Sequence, residues 1–150
     1  MSVSAKVSVE DYLAGDWPPN SQLIEGEVVV NDPAIGHQRA VGNIHGMLWT
    51  WCRAMPGRGE AGLGCNWVPG FGANVYKPDV WWVREERVRP DDMVWLDGSP
   101  DLVVEVRSPG TWRFDVGVKR RVYQASGAAE LWLVDPALCE LTVAGQAVPG

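Results

Sequence analysis

Two stretches of the chain alternate as strands do. Pro78-Asp79-Val80-Trp81-Trp82-Val83 and Pro100-Asp101-Leu102-Val103-Val104-Glu105-Val106-Arg107 are each entered through Pro-Asp and filled with β-branched or aromatic residues. Successive strand side chains point to opposite faces, so Leu102, Val104 and Val106 share one face, and Val103, Glu105 and Arg107 the other. In the first stretch Asp79 lies with Lys77 and Trp81. A carboxylate inside an apolar strand is costly to bury unless something compensates its charge. Paired with those faces together, the two strands would let Asp79 and Glu105 share one hard cation.

Around them the pattern predicts a short helix capped by Ser8, with Asp11 three residues on. A strand or hairpin over Leu23 to Asn31 follows, turning at Glu25-Gly26. From His37 to about Met55 the apolar positions Val41, Ile44, Leu48 and Trp51 recur at helical intervals. His37 falls on or beside that face, either contacting substrate or packing on the sheet; His45 reads as core or surface. Residues 60–69 read as one strand, 84–99 as a charged connection holding Met93 to Leu96, and 112–126 as a second helix. Its apolar stripe is Phe114, Val118, Val122 and Ala125, and Gly127 stops it. Glu130 to Asp135 and Cys139 to Val143 complete the strands. This order predicts an α/β fold, a mixed sheet with a helix on each side.

Composition narrows the classes. The 150 residues suit one domain, 46% hydrophobic and 21% charged. A net charge of −6 argues against a uniformly basic nucleic-acid surface, while leaving room for a local basic groove. Three cysteines (Cys52, Cys65, Cys139) form neither a disulfide framework nor a zinc spacing and read as reduced, mostly buried thiols. With no signal peptide and no membrane-length apolar run, a cytoplasmic location without membrane contact is expected. Gly57-Arg58-Gly59-Glu60-Ala61-Gly62 matches GxGxxG in letters, but a helix precedes it and a strand follows, the reverse of a dinucleotide fingerprint. Of the nine tryptophans, Trp49, Trp51, Trp82 and Trp132 read as core or dimer interface, and Trp95 and Trp112 as exposed contacts.

The chemistry that suits Asp79 and Glu105 is oxygen ligation of Mg²⁺, which keeps several waters and takes one or two carboxylates. Such an ion polarises a phosphate and lowers the pKa of an attacking water. A nearby ammonium would stabilise the developing charge. The plainer alternative makes Asp79 and Asp101 strand-entry residues and pairs Glu105 with an arginine.

Pro78-Asp79 followed by Glu105-Val106-Arg107 resembles the PD-(D/E)xK nuclease pattern. More narrowly, the chain resembles the Uma-two family of restriction-type endonucleases. The matching stretches are Leu23 to Val28, Asn31-Asp32-Pro33 with His37, Pro78-Asp79-Val80, Pro100 to Pro109, Asp115 to Arg121 with Lys119 and Tyr123, and Leu131 to Asp135. They run in the family's order across about residues 8–140, leaving 141–150 as a shortened C-terminal edge. The resemblance implies a restriction-endonuclease-like core and a site using Mg²⁺ (or Mn²⁺) held by Asp79 and Glu105. Lys119, at the position of the family's helical lysine, is implied as the third catalytic residue. It would stabilise phosphate charge or orient the water, although an ordinary pair with Asp115 on a solvated face fits the spacing too.

The departures carry weight. Arg107 replaces the superfamily's usual lysine, and an arginine cannot act as a base. Gln22 stands where the family often has Glu, so either Glu25 or Glu27 substitutes as a further ligand or the site has one charge fewer. Lys77 is a second claimant to the ammonium role, and His37 an auxiliary one. Arg107, Arg113, Lys119, Arg120 and Arg121 cluster in sequence as a phosphate-facing edge or a solvated helix face. The expected function is metal-dependent hydrolysis of DNA phosphodiesters, with RNA left open as substrate. The rival is a catalytically degenerate fold binding nucleic acid or protein, and a homodimer would cover an open sheet edge.

Overall fold

The computed structural model describes residues 5–108 and 112–145, so the expected break at Pro109-Gly110 and the tail 146–150 lie outside the described residues. Ser8 caps α1 (Val9–Ala14), its Oγ accepting the Asp11 amide over 3.1 Å. A hairpin of β1 (Ser21–Ile24) and β2 (Glu27–Val30) follows. Its turn residues Glu25 and Gly26 have φ of 50° and 80°, the left-handed pair that a two-residue hairpin turn requires. The long α2 (Ile35–Ala54) leads into β3 (Glu60–Leu63), β4 (Asn66–Val68), β5 (Val80–Val83), β6 (Trp95–Asp97) and β7 (Leu102–Val106). Last come α3 (Trp112–Val116), α4 (Val118–Ala125), β8 (Glu130–Asp135) and β9 (Glu140–Gly145).

Five strands form the central mixed sheet in the order β3-β5-β7-β8-β9. Only β7 and β8 run parallel, joined by the crossover through α3 and α4; the other neighbours are antiparallel. The alternation along β7 divides two cores. Leu102, Val104 and Val106 meet α2 through Val41, Ile44 and Leu48. Val103 faces the opposite side, where Val122 and Tyr123 of α4 pack with Leu131, Leu133 and Ala144. Each fully buried valine or leucine here contributes about 1.5–3 kcal/mol relative to exposure.

The β1–β2 hairpin lies outside this sheet but is fastened near it. Leu23 and Val75 exchange backbone hydrogen bonds of 2.9 Å each, and the Tyr76 and Trp67 backbones do the same at 2.8 and 2.9 Å. The stretch running into Pro78 and Asp79 is therefore threaded between β1 and β4.

Several expected elements are broken. Residues 60–69 are two strands, because Gly64 and Cys65 adopt φ of 55° and 65° and turn the chain. The second helix divides at Gly117, where φ −108° and ψ −107° interrupt the helical path. Its stripe is also incomplete: Val122 is buried, but Ala125 is exposed. Trp49 and Trp51 are not core, as one of their two expected readings had it: each is 47% exposed, since α2 turns that edge outward. Trp95 is exposed as expected, whereas Trp112 packs half-buried against the core beneath Arg107. The cysteines are free but not buried; Cys52 and Cys65 are half-buried and Cys139 is exposed. Gly57 and Gly59 sit in the α2–β3 turn with φ of 81° and 75°. A Cβ on Gly59 would collide with the Val83 carbonyl, which accounts for these glycines without any nucleotide. No helix among the described residues is long and apolar enough to cross a membrane.

Candidate active site

The β5–β7 register pairs Val80 with Val104, and one step further it sets Asp79 opposite Glu105. Asp79 stands just before β5, where Pro78 delivers the chain. Its Oδ2 accepts the Val106 amide over 2.7 Å and lies 3.3 Å from His37 Nε2. Asp79 is thus locked to the neighbouring strand, and its Oδ1 takes no hydrogen bond from the described residues. The resulting placement matches the expectation that the two carboxylates meet on one face.

Glu105 is only 3% exposed, and its donors among the described residues both fall on one oxygen. Lys119 Nζ donates to Oε1 over 2.7 Å and Tyr123 OH over 3.0 Å. Oε2 accepts nothing from the described residues. The two carboxylates therefore share a pattern, with one oxygen held by the protein and the other unclaimed.

Lys119 belongs to neither a solvated face nor a simple i,i+4 pair. Its side chain is 1% exposed, and its ammonium also donates to Gln22 Oε1 over 3.0 Å. Asp115 Oδ1 lies 3.2 Å from the same nitrogen, yet off the direction of a hydrogen bond, and has no donor among the described residues. Asp115, Lys119 and Tyr123 remain on one row despite the break at Gly117, and that row faces the sheet.

Burial penalises the charged forms of Glu105 and Asp115 and pushes both carboxyls up, while the Lys119 ammonium beside them opposes the shift. For Lys119 burial works against its charge, but Glu105 and Asp115 outweigh it and hold the proton firmly. Desolvation and Glu105 together keep the Tyr123 phenol protonated. Hydrogen bonding to Asp79 raises His37 against the opposing effect of burial. Lys77 is pushed down by burial.

A cleft of about 220 Å³ opens over Asp79, lined also by Gln22, His37, Asn31 and Lys77. A wider cleft of about 900 Å³ shares Asn31 and His37 with it and continues past Arg107 and Ser108. Ser108 Oγ donates to Asn31 Oδ1 over 2.8 Å, tying the end of β7 to the hairpin where the clefts meet. Three carboxylates (Asp79, Glu105, Asp115) surround one ammonium and one imidazole, so the donor set suits a hard, oxygen-seeking cation. No three His, Cys, Asp or Glu side chains converge into a ready ligand cage among the described residues. A two-carboxylate arrangement is nevertheless what Mg²⁺ commonly accepts, since it keeps waters and takes substrate phosphate oxygens.

Other expected residues fall elsewhere. Glu27 is exposed and paired with Lys6 at 3.1 Å, and Glu25 is exposed on the hairpin turn, so neither takes the place of Gln22 beside Lys119. Arg107 pairs with Asp135 at 2.7 Å, and hydrogen bonding from the guanidinium lowers the Asp135 carboxyl. Arg113, Arg120 and Arg121 are exposed, Arg113 lying over the Phe114 ring. Asp101 is the strand-entry residue the plainer reading foresaw, accepting the Arg84 amide at 3.0 Å and pairing with Arg87 at 2.9 Å. Tyr123, spaced i, i+4, i+8 with Asp115 and Lys119, has no role assigned from the sequence, and the structure places its hydroxyl on Glu105.

The sequence profile of the Uma2 family, described as "Putative restriction endonuclease", matches residues 9–148. Among solved structures the chain is similar to a "putative nuclease belonging to DUF820" from Anabaena variabilis ATCC 29413, with a TM-score of 0.80 and 17% identity. That match covers 95% of this chain and 82% of the other, and at this identity it speaks for the fold. No curated protein matches the sequence. With the profile spanning nearly the whole chain, the protein belongs to the Uma2 family of restriction-endonuclease-like nucleases.

Proposed function

We propose that this chain is a divalent-metal-dependent endonuclease that hydrolyses DNA phosphodiester bonds. The observation that carries the reading is the opposition of Asp79 and Glu105, each with one oxygen fixed by protein donors and one unclaimed. Asp79 Oδ1 and Glu105 Oε2 would hold Mg²⁺ or Mn²⁺. The ion would supply positive charge to the phosphate and acidify a bound water.

The chain's own groups divide the remaining work. Tyr123 and Lys119 fix Glu105 by its other oxygen, and Val106 fixes Asp79. Lys119, hemmed in by Glu105, Gln22 and Asp115, acts as a counter-charge behind the carboxylates. This differs from the expectation that it orients water or contacts phosphate directly. His37 borders both clefts and, when protonated, can donate to a phosphate oxygen or to the departing alkoxide. In hydrolysis water oxygen bonds to phosphorus, the bridging P–O bond breaks, and the leaving oxygen gains a proton.

The test is nicking of supercoiled plasmid with Mg²⁺ or Mn²⁺ by wild type and Glu105→Ala, purified side by side. Metal-dependent nicking by wild type alone is the expected result. Equal nicking by both would reject the assignment of Glu105. Nicking by neither would favour a nuclease fold that binds without cutting, a reading supported by the neutral Gln22 beside Lys119.

A further inference from the structure

The site contains two lysines, and both donate to the Gln22 side chain. One Gln22 oxygen accepts both the Lys119 ammonium at 3.0 Å and the Lys77 backbone amide at 2.9 Å. Behind that oxygen, Lys119 is 1% exposed with three acceptors around its nitrogen. It does not line the cleft over Asp79, whereas Lys77 does. Lys77 is half-buried, and its alkyl stem crosses Gly64, where an added Cβ would come 3.8 Å from Lys77 Cγ. Its Nζ donates to a single partner among the described residues, the Pro19 carbonyl. Two of its three N–H groups therefore remain for another acceptor. Lys77 and Asp79 both line this cleft, so the ammonium and the carboxylate serve one space.

We infer that Lys77 is the cation that meets the substrate, donating to a non-bridging oxygen of the phosphodiester seated over Asp79, while Lys119 is a fixed internal counter-ion. This assignment rests on the nuclease reading above. It gives the two lysines separable signatures. A phosphate-contacting lysine controls the salt dependence of DNA binding, because its ion pair releases a condensed counterion. A buried counter-ion controls folding and the disposition of the carboxylates.

The experiment compares wild type, Lys77→Met and Lys77→Arg. Methionine keeps the stem over Gly64 and removes the charge; arginine restores the charge. Mn²⁺ affinity is measured directly from free Mn²⁺ by electron paramagnetic resonance. Affinity for a short DNA duplex is measured in Ca²⁺, without turnover, across a salt series. Lys77→Met should bind Mn²⁺ like wild type but hold the duplex roughly tenfold more weakly, with a salt slope shallower by about 0.9. Lys77→Arg should recover most of the affinity and the slope. An unchanged duplex affinity and slope in Lys77→Met, with wild type binding both Mn²⁺ and DNA, would overturn the role of Lys77 and leave the nuclease reading standing. Should wild type bind neither, the nuclease reading fails and this assignment with it. If Lys77→Met does not fold, an unchanged salt slope in a Lys77→Gln variant is the overturning result.

Discussion

Gln22 accepts the Lys119 ammonium over 3.0 Å, so a neutral amide from the first hairpin completes the surroundings of a buried charge on α4. Replacing that amide oxygen by a carboxylate tests how the site handles charge. Gln22→Glu adds a negative group to a cluster already holding Glu105 and Asp115 beside one lysine. Without metal the variant should melt at lower temperature than wild type. With Mn²⁺ its melting temperature should rise by more than that of wild type, because the added oxygen can join the ligand set. A differential scanning measurement with and without Mn²⁺ decides it; an equal or smaller rise means residue 22 lies too far from the ion.

Lys119 and Glu105 should behave as a unit. Removing one partner of a buried ion pair strands the other's charge, at a cost of about 3–5 kcal/mol. Lys119→Met should be destabilised on that scale, and more than Glu105→Gln, because it leaves both Glu105 and Asp115 without a cation. In urea titrations the double variant should be less destabilised than the sum of the singles. Strict additivity would mean the two side chains do not interact as described.

Tyr123 gives a finer cut. Its hydroxyl bonds a carboxylate in a buried setting, an interaction of about 1.5–3 kcal/mol. Tyr123→Phe should lose about that much stability while keeping the ring packed edge-on against Tyr76 at 5.1 Å. It should also bind Mn²⁺ more weakly, since Glu105 loses one of the two donors fixing its orientation. Stability loss with unchanged Mn²⁺ affinity would make the hydroxyl structural only.

His37 sets a pH dependence whose sign is fixed by its raised pKa. A group that binds its proton more tightly when folded adds stability fully present below the unfolded value, here about 6.5, and lost as pH rises through the folded value. The urea midpoint of wild type should therefore fall as pH rises from about 6.5 through the raised folded value. In His37→Gln that contribution is absent and the fall should be smaller. Identical pH profiles would mean the imidazole is not held by Asp79 at 3.3 Å in solution.

Much of this was legible in the chain because it depends on period-two patterning. The Val103 and Glu105 face of β7 and the Glu25-Gly26 turn follow from alternation and local turn chemistry, whereas the opposition of Asp79 and Glu105 was conditional on the strands pairing and needed their register. Breaks were less legible. Gly64-Cys65 and Gly117 interrupt segments whose apolar spacing continues across them, so periodicity alone runs through. Lys119 was the hardest to place in depth. On a helix, an Asp–Lys pair one turn apart reads as solvated, and only packing against a strand that carries its own carboxylate makes burial affordable. Trp51 misled in the opposite sense, matching the helical apolar interval where α2 has already turned that edge to solvent.

The hydrogen bond between Gln22 and Lys119 spans 97 positions of sequence, and that from Gln22 to the Lys77 amide spans 55. Contacts of such separation form only after long loops have closed, which slows folding relative to local structure. The hairpin can turn early and α4 can coil early, but the cleft exists only once both have docked on the strands between them. A folding intermediate with a detached hairpin would carry Glu105 and Lys119 already paired and yet have no cleft wall. Recovery of metal binding should then trail recovery of secondary structure during refolding, making the site a late reporter of topological closure.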